Sequence, residues 1–363
     1  MLGIYIHIPF CAKKCPYCDF YSENYSKSKI ISYGNAIVRN LEYYSRYNLQ
    51  ADTLYFGGGT PSLMEITSIE EIVKTARNLF NMPQDSEITL EANPKTLNSK
   101  KLENLRNVGI NRLSIGVQSC IDDELKILGR NHTFKDCKDI IANAHKVGFE
   151  NISCDLMIGT PNQTMDSLKY SCDELSKLDI KHISSYMLKI EENTPFNSNK
   201  IISKLPTDDL VSEMYLKSVE IFENNGFYQY EISNFSKSGF QSRHNLKYWQ
   251  CVDYLGIGSA SHSCFMGKRF CVSNNRDDFI NLEHQKIEVT EENPYTFEEF
   301  GMLSLRLKSG LDLSKFPNEK KSVLSRAIPL QKLGYLSINN DVISLTPKGF
   351  LVSNAIIENL ILD

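Results

Sequence analysis

Six short runs rich in β-branched and aromatic residues recur through the first half of the chain, and this recurrence limits the fold more than any other feature. They are GIYIHIP (3–9), DTLYFGG (52–58), SEITLEA (86–92), NRLSIGV (111–117), NISCDLM (151–157) and HISSYML (182–188). Helical patterns lie between them. In SLMEITSIEEIVKTARNLF, Ile66, Ile69, Ile72, Val73, Ala76, Leu79 and Phe80 fall at helical spacing, and Ser62 three residues before Glu65 predicts a capping box. Strands alternating with helices mean a parallel sheet joined by right-handed crossovers.

The residues at the end of each strand narrow the fold further. The first run leads into Cys11, and the second into Gly57, Gly58, Gly59 and Thr60. The third ends on Glu91 with Asn93, the fourth on Gln118, the fifth contains Asp155, and the sixth carries Tyr186 and leads to Lys189. In a β/α barrel, active sites gather at the C-terminal strand ends, whereas an open doubly wound sheet usually places its ligand at one switch point. Six strands in sequence, each delivering a glycine turn, a thiol or a polar group, therefore predict an α/β chain with a partial (β/α)6 TIM-like barrel. Glu91 and Asp155, near the ends of otherwise apolar strands, would be costly to bury without a ligand or a cationic partner. Arg130 reads equally well as a site residue or as a solvated helix end.

After residue 190 the period breaks. EENTPFNSNKIISKLPTDD is loop-like, DLVSEMYLKSVEIFENNGF is a helix ended by Gly226, YQYEISNF is a strand, and 236–275 is rich in glycine and serine. We expect a core barrel over 1–230, a strand and loop extension over 231–290, and a C-terminal domain over 291–363. In the last, helical runs flank a hairpin candidate, YLSINNDVISLT, which suggests a small winged-helix-like α+β unit. Residues 297–363 carry eight Lys and Arg against seven Asp and Glu, so no basic stripe exists to grip phosphates. The whole chain, with 40 Lys and Arg against 44 Asp and Glu and a net charge of -4, has no electrostatic footprint for nucleic acid either. Small-molecule chemistry becomes the expectation. No basic leader precedes the apolar start MLGIYIHIPFC, and no run approaches the roughly 18 apolar residues of a membrane helix. A cytoplasmic location without a transmembrane segment is expected.

Three of the ten cysteines, Cys11, Cys15 and Cys18, stand close together in CAKKCPYCDF. In a reducing compartment such a cluster is better explained by metal than by disulfides. A structural zinc site needs four ligands, and His7 offers a fourth in principle. A four-iron cluster normally takes four thiolates, so three would leave one iron open to chemistry. The seven scattered cysteines read as small buried hydrophobes.

Cys-x3-Cys-x2-Cys after a first strand resembles the signature of the radical S-adenosylmethionine (SAM) enzymes, and FGGGTPS after the second resembles their motif for the SAM amino group. The resemblance implies a barrel of the radical SAM type. It also implies that Cys11, Cys15 and Cys18 hold three irons of a [4Fe-4S] cluster and that SAM chelates the fourth, so that electron transfer into the sulfonium releases a deoxyadenosyl radical. YIHIPFC, GGGTPS, LEANP, GVQS, DLMIGTPNQ and YEISNF together resemble the branch that contains oxygen-independent coproporphyrinogen III dehydrogenase and the HemW-type haem chaperones. On that resemblance Tyr5, Gly58 and Glu91 match contacts to the cluster-bound SAM. Gly59, Thr60, Gln118, Arg130 and Asp155 match positions assigned to a second SAM in the dehydrogenase.

Two departures separate the chain from the dehydrogenase: Phe20 stands where that enzyme has a further cysteine, and the first strand begins at residue 3 without an N-terminal extension. HNLKYW (244–249) matches the HNxxYW motif of the haem chaperones. There His244 could offer an imidazole to haem iron while Tyr248 and Trp249 stack on the macrocycle. The alternative is that His244 hydrogen-bonds locally and Trp249 anchors the segment. The implied partners are haem, an acceptor haemoprotein and an electron donor for the cluster, with a homodimer possible. The alternative function is decarboxylation of coproporphyrinogen III.

Overall fold

Period-two alternation gives each strand an apolar and a polar face, and the register carries those faces across the sheet. A computed structural model describes residues 1–362. Its strands β1 (Leu2–Ile8), β2 (Ala51–Gly58), β3 (Glu87–Ala92), β4 (Arg112–Gln118), β5 (Asn151–Ile158) and β6 (His182–Met187) are all parallel, each paired with the next. Ile4 is level with Leu54 and Leu54 with Ile88, while Leu90 is level with Leu113 and Leu113 with Ile152. All are fully buried in the main core. The opposite face carries Tyr5, Tyr55, Glu91, Arg112, Ser114, Asp155 and Ser184, which line the inside of the curved sheet.

Helices α1 (Lys27–Tyr44), α2 (Ile66–Leu79), α3 (Ser99–Asn107), α4 (Phe134–Lys146), α5 (Met165–Ser176) and α6 (Asp208–Asn224) connect or follow these strands. In α2, Ile69, Ile72, Val73 and Ala76 are buried as their spacing predicts. The predicted capping box is not formed. Glu65 occupies the N-cap with no side-chain bond, and the Ser62 hydroxyl bonds instead to Thr96 Oγ1 at 2.5 Å. Pro61 starts a separate 3-10 turn there, which moves Ser62 out of reach of the helix. Helix α6 is capped by Thr207, which accepts from Leu210 N–H, and its exit passes through Gly226 at φ +79°.

The sheet then continues at both ends. β7 (Tyr228–Gln229) and β8 (Asn234–Ser236) extend it antiparallel beyond β6, so YQYEISNF forms two short strands. Next comes a seven-residue helix, α7 (Arg243–Trp249). β9 (Tyr254–Ile257) runs parallel on the free side of β1, and β10 (His262–Phe265), β11 (Lys268–Val272) and β12 (Ile287–Glu292) follow antiparallel. The strand order is β12-β11-β10-β9-β1-β2-β3-β4-β5-β6-β8-β7, twelve strands of which seven are parallel. The seventh, YLGI, is too short and glycine-containing to announce itself. It is held by Tyr33, whose hydroxyl accepts from Ser259 N–H, and by Gln285, which bonds Gly256 O and Gly258 N–H.

Helices α8 (Arg276–Asn281), α9 (Phe297–Ser304) and α10 (Pro317–Lys332) lie in the last third of the chain. The hairpin Leu336–Asn339 and Val342–Leu345 turns through Asn340 at φ +55° and pairs with Leu311–Asp312 in a three-stranded sheet. No helix of the described residues is long and apolar enough to cross a membrane.

Candidate functional site

The C-terminal ends of the parallel strands surround a cavity of about 450 Å³. Beyond β1, Phe10–Cys11 pairs with Glu23–Asn24, pinning both ends of the loop that carries Cys15 and Cys18. All three cysteines are free, half-buried and on the cavity wall. Thr60 Oγ1 donates to Cys11 Sγ at 3.6 Å, and Arg130 Nη1 donates to Cys15 Sγ at 3.4 Å. Burial pushes the Cys18 thiol up, with the two neighbouring thiols adding to the effect. Among the described residues no three His, Cys, Asp or Glu side chains close on a single metal ion. His7 is not a fourth ligand here: Nδ1 meets the Tyr5 hydroxyl at 3.0 Å and Nε2 the Tyr21 carbonyl at 3.1 Å. Three thiols spread on the wall of an open cavity suit a multi-iron cluster with one iron left to a small-molecule chelate better than they suit one zinc ion.

The glycine run brings backbone to the same wall. Gly58 sits at φ +106°, and a Cβ there would come within 2.6 Å of the His7 ring. A Cβ on Gly59 would meet the Phe10 carbonyl at 2.7 Å, because Gly59 N–H donates to Ile8 O and Thr60 N–H to Phe10 O. The turn therefore packs directly under the first cysteine.

Glu91 accepts from the Tyr55 hydroxyl at 2.9 Å and from Gly58 N–H at 3.1 Å. Both bonds favour the carboxylate, yet burial outweighs them and lifts its pKa to about 7, with Asp155 adding to the rise. Asp155 accepts from Ser114 Oγ at 3.3 Å and is lifted to about 6, again by burial, against the pull of Arg130 and Arg112. Arg130 lies in a short turn after the helix Asp122–Ile127, and its Nη2 donates to Gly116 O at 2.6 Å. It lines the cavity and is not a solvated helix end. Gln118 adopts φ +71°, a left-handed conformation that only a constrained non-glycine residue keeps.

Of the eight residues matched to SAM contacts, Gly58, Gly59, Thr60, Glu91, Gln118, Arg130 and Asp155 line the cavity together. Tyr5 does not. It lies one layer deeper, against the rings of His7, Tyr55 and His244. Sequence reasoning missed Tyr55, Arg112 and Asn245, which also line the cavity. The first two were accessible from alternation: Arg112 has the parity of Ser114 and Gln118, Tyr55 that of Gly57. Asn245 had no local signal, because its place depends on where α7 docks.

Helix α7 seats against the N-terminal ends of β2 and β3. His244 is 1% exposed. Its Nδ1 meets Thr53 Oγ1 at 2.8 Å, its Nε2 meets the Tyr248 hydroxyl at 2.7 Å, and its backbone N–H donates to Glu87. Burial drives its pKa to about 3, so the imidazole is neutral. Lys247 Nζ pairs with Asp52 at 2.6 Å and donates to the Met1 carbonyl. Tyr248 and Trp249 are half-buried at the end of the helix. The observed contacts of His244 are those of the local hydrogen-bonding alternative, and Nε2 would have to give up Tyr248 to reach a metal.

The family model of the radical SAM superfamily matches residues 5–175, and that of the HemN C-terminal domain matches residues 296–352. The heme chaperone HemW of Bacillus subtilis (strain 168) is 34% identical, with 98% of this chain and 98% of the relative covered. The heme chaperone HemW of Lactococcus lactis is 31% identical, with 99% and 97% covered. Among solved structures, coproporphyrinogen III oxidase (HemN) from Escherichia coli, a radical SAM enzyme, superposes with a TM-score of 0.84 at 20% identity, covering 99% of this chain and 90% of that one.

Proposed function

The chain belongs to the HemW family of the radical SAM superfamily, and from that premise we propose that it binds haem and passes it to an acceptor haemoprotein. The observation that carries the reading is similarity above 30% to heme chaperones over nearly the whole length of both chains. Phe20, 68% exposed beside the third cysteine, supports it, since the dehydrogenase resemblance calls for a cysteine there.

Cys11, Cys15 and Cys18 would hold the [4Fe-4S] cluster, with SAM on the open iron. Glu91, pinned by Tyr55 and Gly58, would accept an N–H of the SAM amino group, and that donor would favour the ionised carboxylate. Gln118, Arg130 and Asp155 offer one amide, one cation and one carboxylate to the rest of the nucleoside or to a second SAM. When reduced, the bound pair supplies one-electron chemistry at the sulfonium. Under this reading it supports haem transfer or dimerisation rather than substrate oxidation.

His244, Tyr248 and Trp249 remain our proposed haem contacts. The neutral imidazole is in the protonation state that iron takes, and release of the Tyr248 hydroxyl would free Nε2. The test is anaerobic reconstitution followed by haem titration, read in the Soret band, and transfer to an apo-haemoprotein, with coproporphyrinogen III supplied in parallel. We expect haem uptake and transfer with no protoporphyrinogen. Decarboxylation by the reconstituted chain would replace this reading with the dehydrogenase. His244→Ala should lower haem retention while leaving iron and sulfide content unchanged, and undiminished retention would remove His244 from the site.

A further inference from the structure

Arg112 is the largest fully buried side chain of the protein, 1% exposed, at the inner face of β4. Its Nε and Nη1 have no hydrogen-bond partner, and among the described residues its guanidinium forms no ion pair. The carboxylates around it are already engaged by other donors: Glu87 by the His244 and Arg243 N–H groups, Glu91 by Tyr55 and Gly58, Asp155 by Ser114. Thr89, level with Arg112 in the sheet, also keeps an unpartnered buried hydroxyl. Arg112 lines the cavity of the cysteines, at its deep end. A buried guanidinium is usually paired, because desolvation is costly unless its donors are used. A planar fork with free donors at the bottom of a ligand cavity matches the geometry of a carboxylate.

We propose that Arg112 receives the carboxylate of a ligand that enters this cavity. The carboxylate has two sources under the function proposed above, on which this inference rests: the amino-acid end of SAM or a propionate of haem. The other carboxylates of the barrel wall would stay with their own donors, and Arg112 would set the depth and orientation of the ligand.

The test pairs a deletion on the protein with a deletion on the ligand, in the full reconstituted chain. Wild type, Arg112→Met and Arg112→Lys are titrated with SAM and decarboxylated SAM, and with haem and haem dimethyl ester. For the ligand that Arg112 holds, wild type should prefer the carboxylate form by roughly tenfold or more. Arg112→Met should shrink that preference and Arg112→Lys should keep more of it. A drop with SAM alone assigns the amino-acid carboxylate, and a drop with haem alone assigns a propionate. A preference as large in Arg112→Met as in wild type, or one missing from wild type with both ligands, overturns the proposal.

Melting of the ligand-free proteins gives an independent readout. An unpaired guanidinium predicts that Arg112→Met melts no lower than wild type, whereas a purely structural role lowers it. If Arg112→Met does not fold, the ligand pairs on wild type and Arg112→Lys still decide. A wild-type chain that takes SAM but not haem sinks the haem-chaperone reading while leaving the SAM arm to judge Arg112.

Discussion

Glu91 shows how a single residue can be tuned for a ligand at the expense of the empty protein. Its folded pKa of about 7 lies above its ordinary value near 4.5, so its contribution to stability is full at low pH and is lost as pH rises through 7. At pH 8 the ionised, mostly desolvated carboxylate costs roughly 3 kcal/mol. Glu91→Gln should therefore melt above wild type at pH 8 and converge with it at pH 5, while binding SAM at least about tenfold more weakly. Thermal melts at the two pH values and a SAM titration check both halves. Gly58 is constrained differently: Gly58→Ala places a methyl at a positive φ and against the His7 ring. It should lose about 2 kcal/mol or more in denaturant unfolding.

At the scale of elements, α7 is too short to be stable alone and is held by the groups it touches. Ser242 caps it, Glu87 accepts from the N–H groups of Arg243 and His244, and Lys247 and Asp52 form a pair that is 9% and 11% exposed. Lys247→Met removes one of the two cations on Asp52, leaving Arg243 Nη2 at 3.2 Å, and should cost about 1 to 2 kcal/mol. Asp52→Asn takes the carboxylate from both cations and should cost more, and chemical denaturation of the two variants measures it. Because Asn245 of this helix lines the cavity, loosening α7 should also weaken SAM or haem binding. Normal binding by a destabilised Lys247→Met protein would show that the helix serves the floor only as scaffold.

Across the whole molecule, two sets of buried groups pull stability in opposite directions with pH. His132 is lowered to about 4 and His244 to about 3, both chiefly by burial, and His182 is lowered by burial as well. Their contribution is complete above pH 6.5 and is lost as pH falls below it. Glu91 and Glu231, at about 7, and Asp155, at about 6, contribute fully at low pH and lose it as pH rises through those values. Between about pH 5 and 6.5 the two sets oppose each other, and His7, lowered by burial as well, adds to the histidine side, so unfolding free energy should fall toward acid less steeply than the histidines alone would make it. Glu91→Gln should steepen that fall by up to about 1.4 kcal/mol per pH unit. An unchanged acid slope in Glu91→Gln would mean that Glu91 does not oppose the histidines.

The strand alternation over residues 3–188 by itself determined which faces were polar, so the barrel, the thiol loop and the walls bearing Glu91, Gln118 and Asp155 were legible in the sequence. Those features are local, since periodicity and spacing are carried by neighbours in the chain. Tertiary structure alone decided that β9 lies beside β1, that α7 closes the floor through His244 and Thr53, 191 residues apart, and that Ser62 serves Thr96 instead of its helix. It alone left Arg112 without a partner. The type of each residue was always visible. Whether its hydrogen bonds were made depended on groups brought close only by the closing of the sheet, and no periodicity in the chain encodes that distance.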